Sequence, residues 1–423
     1  MMFTQPFLAL LLLATNANAS PLIHRATSRS ISIPVARRVN ATGARDILKF
    51  DQARAKAFKN RTPQVHHTSP SAAQAAFGVP VTNQAVDYAM TVGVGSPPNP
   101  FTLLVDTGSS NTWVGAQQTN PFVVTSTSQD TGNLVEVTYG SGFVFGEQFI
   151  DQLTIGDVVI ENQSLGAALL SEGFDGVDGI IGIGPTDLTS GKLPFDHIVA
   201  EPDALCIPTV TDNAFTQGLI DEDLVGIAFA PTNSLSDTNG EIIFGGVDDS
   251  KFTGDIHFVP ITSTSPANEF VGIDQSIAYG AASTPILSTT AGITDTGTTL
   301  TLIATDALAA YQTATGAVQD SDTGLLRLTP DQFNNLESLF FTIGSETFEF
   351  TPNAQIWPRA LNTAIGGTSD FVYLIVNDIG SASGEGLDFI DGMTFLERFF
   401  AVFDSTNSQF GIATTQFTNA TSN

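Results

Sequence analysis

From about residue 80 onward the chain alternates short runs of Val, Ile, Phe and Thr with clusters of Gly, Asn, Asp and Ser. Runs of this length, bounded by turn-formers, predict β-strands. Tyr88 to Val94, Phe101 to Val105 and Ile242 to Gly246 are clear cases. Helical periodicity is rare. It predicts one helix from Asp306 to Thr313 and another from Thr329 to Phe340, where Thr329 suits an N-cap and Pro330 the first turn. The expected class is all-β.

The first 75 residues follow a different pattern. Phe7 to Leu13 is an unbroken apolar run, followed by Ala17-Asn18-Ala19. A short apolar run before a small-x-small site predicts a secretory signal peptide over 1–19, although no Lys or Arg precedes it. No stretch reaches the roughly 20 apolar residues of a membrane span. The expectation is a secreted, extracellular protein with no membrane partner.

Charge divides what remains. Residues 20–75 hold ten basic side chains and two acids, for a charge of +8, whereas 76–423 hold five basic and 41 acidic side chains, for −36. A basic arm on an acidic body suggests a removable partner held by charge. Ser69 to Ala76, rich in Ser, Ala and Pro, reads as the exposed cleavage hinge. The overall net charge of −28 argues against nucleic acid as a partner. Cys206 is the only cysteine, so there is no internal disulfide and no cysteine-built metal site, and no cofactor or metal is expected. With 42% hydrophobic residues, the chain has material for a large core.

The body contains an internal echo. Leu104-Val105-Asp106-Thr107-Gly108-Ser109-Ser110 recurs as Ile293-Thr294-Asp295-Thr296-Gly297-Thr298-Thr299, 189 positions later. A single Asp-Thr-Gly is equally compatible with a turn whose Asp bonds its own backbone. Two copies at half-chain separation, both after apolar runs, suggest two related lobes that each bring one Asp to a shared interface. Gly108 and Gly297 permit the turn and a close approach. Thr107, Ser109, Thr296 and Thr298 supply hydroxyls to orient the carboxylates. Carboxylates a few ångströms apart cannot both ionise easily, so they share a proton. Such a pair can activate water against an amide carbonyl.

Around these residues the chain resembles the pepsin family of aspartic endopeptidases. Asp106 to Trp113 is similar to the first active-site motif and Asp295 to Thr299 to the second. Tyr139-Gly140-Ser141-Gly142 resembles the flap tip, and Asp178 to Gly182 the strand behind the first Asp. Phe244 to Asp248 and Ala401 to Asp404 resemble C-terminal-lobe signatures. The resemblance runs from about residue 80 to the end. It implies a bilobal fold with a cleft between an N-terminal lobe (76–238) and a C-terminal lobe (239–423), and Asp106 and Asp295 as the catalytic pair. It also implies Tyr139 on a hairpin over the substrate, with its hydroxyl bonded to Trp113, and Gly108, Gly297, Thr298 and Ser141 on the substrate backbone. By themselves Tyr139 fits an ordinary turn and Trp113 a core. The implied partner is an extended peptide or protein, cut between hydrophobic residues by a monomeric enzyme. Residues 20–75 become an inhibitory prosegment with Ile31 to Arg38 as its first strand, and a lysine, Lys56 or Lys59, is expected to block the dyad.

One departure stands out. Ile390-Asp391-Gly392 places an acid where the family carries an apolar residue. If buried, Asp391 must be protonated or hydrogen-bonded. Sequons at Asn40, Asn60, Asn162 and Asn419 offer glycan sites, the last two in the body. Two rivals remain: a catalytically inactive binding protein on the same fold, which intact Asp106 and Asp295 disfavour, and a glycosidase, whose paired carboxylates sit among exposed aromatics that two Trp and five Tyr do not supply.

Overall fold

A computed structural model describes residues 29–39, 46–60, 86–140, 142–189 and 206–423. The expected signal peptide, the 69–76 hinge, Ser141 and Asn40 lie outside the described residues. The body is mostly β, as its alternation predicts. One 13-stranded sheet runs through the molecule. Its centre sets Ser236–Phe244, Ile31–Val39, Val86–Val94 and Asn99–Asp106 side by side. The arm strand Ile31–Val39 is thus an interior member, antiparallel to strands on both flanks. The 238/239 division falls inside Ser236–Phe244. A seven-stranded sheet forms the floor of the C-terminal half, and a three-stranded sheet completes it.

The two Asp-Thr-Gly segments occupy equivalent places. Strand Asn99–Asp106 pairs in parallel with Gly179–Gly182, bringing Asp106 opposite Gly182. Strand Thr284–Thr294 pairs in parallel with Phe389–Asp391, bringing Thr294 opposite Asp391. Both supporting strands are wholly buried, and Asp391 at the end of the second is the one charged-type residue in them. Gly182 and Gly392 are needed for close approach. A Cβ on Gly182 would lie 2.5 Å from the Ser110 carbonyl carbon, and one on Gly392 2.6 Å from Thr298 O.

Helix Thr305–Thr315 forms where the pattern predicts it. The second expected helix is cut short. Thr329 and Gln332 make a reciprocal capping box and Pro330 opens the helix, but it ends at Phe333, and Leu339–Ile343 is a strand. Start signals mark where a helix begins; the alternation Leu339-Phe340-Phe341-Thr342-Ile343 then buries every second residue against the sheet.

The arm contributes helix Ile47–Lys59. Ile47, Leu48, Phe50, Asp51, Arg54, Ala55 and Phe58 are its buried residues. The spacing of 47, 50, 51, 54, 55 and 58 is one helical face. That face carries an acid and a base among the apolar residues, so it is built to meet something polar.

Candidate active site

Asp106 and Asp295 lie at the ends of buried strands, and both are fully buried. The loops that carry them face each other. A Cβ built on Gly108 would sit 2.6 Å from Asp295 Oδ1, and one on Gly297 2.7 Å from Asp106 Oδ1. Each loop also grips the other through its threonine. The Thr107 N–H donates to Thr296 Oγ1 and the Thr296 N–H to Thr107 Oγ1, both at 3.0 Å, while the Thr296 hydroxyl donates to Val105 O at 2.8 Å. These two threonines therefore fasten loop to loop. The carboxylates are oriented by the other two hydroxyls, Ser109 Oγ to Asp106 Oδ2 at 2.5 Å and Thr298 Oγ1 to Asp295 Oδ2 at 2.6 Å. The N–H groups of Gly108 and Gly297 donate to the remaining oxygens.

One cation joins the two carboxylates, and it is not a lysine. Arg54 donates from Nε to Asp295 Oδ2 at 2.6 Å and from Nη2 to Asp295 Oδ1 at 2.9 Å, and Nη2 also pairs with Asp106 Oδ1. The expectation of Lys56 or Lys59 is corrected. Lys56 points away from the buried face and is exposed. Lys59 reaches Ser381 and Glu385, the latter at 3.1 Å. Helical phase decides the matter: Arg54 lies on the stripe with Phe50 and Phe58, and the lysines do not. The planar guanidinium can meet both carboxylates at once, which a single ammonium does less well. Charge along the arm does not single out Arg54 among ten basic residues; the buried face of its helix does.

Burial raises Asp106, against the Arg54 charge, with Asp295 adding to the rise. Burial works to raise Asp295 too, but the Arg54 charge and its hydrogen bonds, together with those from Thr298 and Gly297, hold it below the ordinary carboxylate value. The pair is thus split, one carboxyl inclined to hold a proton and the other to release it. Arg54 is held charged: burial opposes this, and the two carboxylates outweigh it.

The arm fastens itself a second way. Asp51 accepts the N–H groups of Thr299 (3.1 Å) and Leu300 (2.8 Å), in the loop after Asp295. Burial, partly offset by those two bonds, pushes its carboxyl up to about 7. Gln52 Nε2 donates to Asp378 O at 2.9 Å.

Above the dyad stands the hairpin of Gln129–Thr138 and Phe143–Ile155, closed by Tyr139 N–H to Gly142 O at 2.7 Å. Tyr139 is buried, and its hydroxyl accepts from Trp113 Nε1 at 2.9 Å, as the motif implies. Phe174 packs edge-on against both rings. A Cβ on Gly140 would strike the backbone of Ala53 and Arg54. The arm helix therefore lies directly between the hairpin tip and the two carboxylates.

Residues 87–415 match the family model for eukaryotic aspartyl protease. Polyporopepsin of Irpex lacteus is 60% identical over 349 residues, covering 82% of this chain and all of that protein. Pepsin A of Rhinolophus ferrumequinum is 31% identical over 345 residues, 78% of this chain and 81% of its own. A crystal structure of aspartic proteinase from Irpex lacteus superposes with a TM-score of 0.78 at 52% identity, covering 93% of this chain and 100% of that one. The chain belongs to the eukaryotic aspartyl protease family and has its bilobal pepsin-like fold. It is an aspartic endopeptidase, similar within the family to polyporopepsin. The glycosidase reading ends here.

Proposed function

We propose that the chain is a secreted zymogen whose mature form hydrolyses peptide bonds between hydrophobic residues in acid, using water activated between Asp106 and Asp295. The observation that carries this reading is the Arg54 bridge. One guanidinium bonds both carboxylates, so they converge on a single small volume, and the group that occupies it comes from the basic arm.

In this reading, the departure of Arg54 leaves two buried carboxyls sharing one proton. The ionised member takes a proton from water as it attacks the peptide carbonyl. The protonated member donates to the carbonyl oxygen, and the proton returns to the departing amine. No covalent intermediate is needed. The hydroxyls of Ser109 and Thr298 hold the carboxylates in place, and the crossed Thr107 and Thr296 bonds hold the loops in register. An extended peptide would take the place of the arm helix under the hairpin, its backbone meeting Gly108, Gly297, Thr298 and Ser141. Tyr139, fixed by Trp113, would cover it.

The arm (20–75) is then the inhibitory prosegment, following a signal peptide (1–19) and preceding the two lobes of a monomer, 76–238 and 239–423. Asn162 and Asn419 are both exposed and are the proposed glycan sites of the body. The test is self-maturation. Purified full-length chain should shorten itself in strong acid, and the Asp106→Asn chain should not. Equal maturation rates in isolation would refute self-cleavage.

A further inference from the structure

Beneath the Asp295 loop lies a buried pair that the chemistry above does not use. Asp391 and Gln275 are both fully buried. Gln275 Nε2 donates to Asp391 Oδ1 at 3.2 Å. Two atoms of this pair have no partner among the described residues, Asp391 Oδ2 and Gln275 Oε1. As a carboxylate, Asp391 could only accept, and so could Gln275 Oε1; both would stay unsatisfied, the charged oxygen at the greater cost. A single proton removes the conflict, because an acid O–H and an amide carbonyl are complementary.

We propose that Asp391 is a neutral carboxylic acid whose O–H donates to Gln275 Oε1, closing with the Gln275 N–H bond a cyclic acid–amide pair of two hydrogen bonds that positions the Asp295 loop. The backbone of Asp391 carries the connection. Its carbonyl accepts the Asp295 N–H at 3.2 Å. Its segment continues to Met393 and Thr394, whose N–H groups hold Thr298 O (2.7 Å) and Thr299 O (3.1 Å). Asp391 also pairs with Thr301 on the strand that follows the loop. Gln275 ties this segment to the strand Gly272–Tyr279, across the intervening strand Thr284–Thr294.

No charged group on the neighbouring elements competes for the proton. Asp274, beside Gln275, is exposed and accepts from Thr262. Asp388, on the same segment, accepts from Thr290 and from the N–H groups of Gly384 and Glu385. Asp295 is turned to Arg54, Asp51 to the Thr299 and Leu300 N–H groups, and Glu397 to Arg37. Strands Thr284–Thr294 and Thr301–Ile303 and the helix Met393–Leu396 contain no acid or base. Burial is accordingly the cause that pushes the Asp391 carboxyl up, to about 8, with the Gln275 bond opposing.

The sign of the consequence is fixed. A folded-state value above the unfolded one stabilises the fold in acid, and that stability is lost as pH rises through the window from 3.8 to about 8. Asp391→Asn keeps the ring, since an amide N–H replaces the acid O–H, but it cannot titrate. Asp391→Leu keeps bulk and removes both bonds. Urea unfolding of the full-length chain at stepped pH is the test. The folding equilibrium constant of Asp391→Asn relative to wild type should rise about tenfold per pH unit across that window. A ratio flat with pH would overturn the neutral acid.

The positioning claim rests on the catalytic reading of Asp295 and has its own readout. In mild acid, kcat should fall about tenfold in Asp391→Leu with KM little changed, and Asp391→Asn should rescue it. Equal kcat in the two variants would overturn positioning. Full activity of Asp295→Asn would instead overturn the dyad, leaving the unfolding slope as it was.

Discussion

At the scale of single residues, the site is a balance of charges in a place that disfavours charge. Asp106 and Asp295 are fully buried, and in the structure Arg54 is their counter-ion. Breaking a buried pair by removing one partner typically costs about 3–5 kcal/mol, because the other charge is left stranded. The Arg54→Gln chain should therefore lose its latency and cut peptide without prior acid exposure, while Lys56→Gln stays latent. An Arg54→Gln chain as silent as wild type would contradict that role. The two aspartates could be found from sequence because the seven-residue echo marks them twice. Arg54 could not be found that way. Ten basic residues crowd the arm, and only the face shared with Phe50 and Phe58 distinguishes it. The same limit applies to Asp391, whose oddity was visible but whose partner Gln275 lies 116 positions earlier in the chain.

At the scale of elements, apolar runs and turn residues foretold the strands, and Thr329-Pro330 foretold where a helix starts. The signals failed where tertiary pairing decides, as at Leu339–Ile343, which joins the sheet between Glu346–Phe350 and Gly272–Tyr279. The element that matters most is the strand-and-loop unit, present twice. A glycine must stand at the end of its supporting strand or just after it, Gly182 in one copy and Gly392 in the other, because the neighbouring loop backbone fills the space a Cβ would need. Gly392→Ala should push that backbone away from Thr298 and destabilise the fold by about 1–3 kcal/mol, the range for overpacking. It should also lower kcat more than it raises KM. Thermal denaturation and steady-state kinetics check both. A variant with wild-type melting and wild-type kcat would show that the contact is slack.

At the scale of the whole molecule, the proposed prosegment carries +8 and the body −36, and in that proposal both respond to acid. Asp295, held low by Arg54, favours the docked arm at pH above the carboxylate range and releases that advantage as pH falls. Asp51, raised to about 7, works in the opposite sense, favouring docking as pH falls from neutrality. The arm should thus be held best in weak acid and freed in stronger acid. Burial also raises Glu397, against its Arg37 partner, and the body repels itself when ionised. The melting temperature should therefore fall as pH rises from 3.8 toward about 8; a steady rise would contradict this. The measurement that reaches the centre of the account is simpler. Wild type, Asp106→Asn and Asp295→Asn, each confirmed folded by circular dichroism and freed of the arm, are compared for hydrolysis of denatured casein in mild acid. Each single variant should be slower by about 10²–10⁴, with the double variant little worse, because the pair acts as a unit. Either single variant cutting at the wild-type rate would contradict the shared-proton dyad.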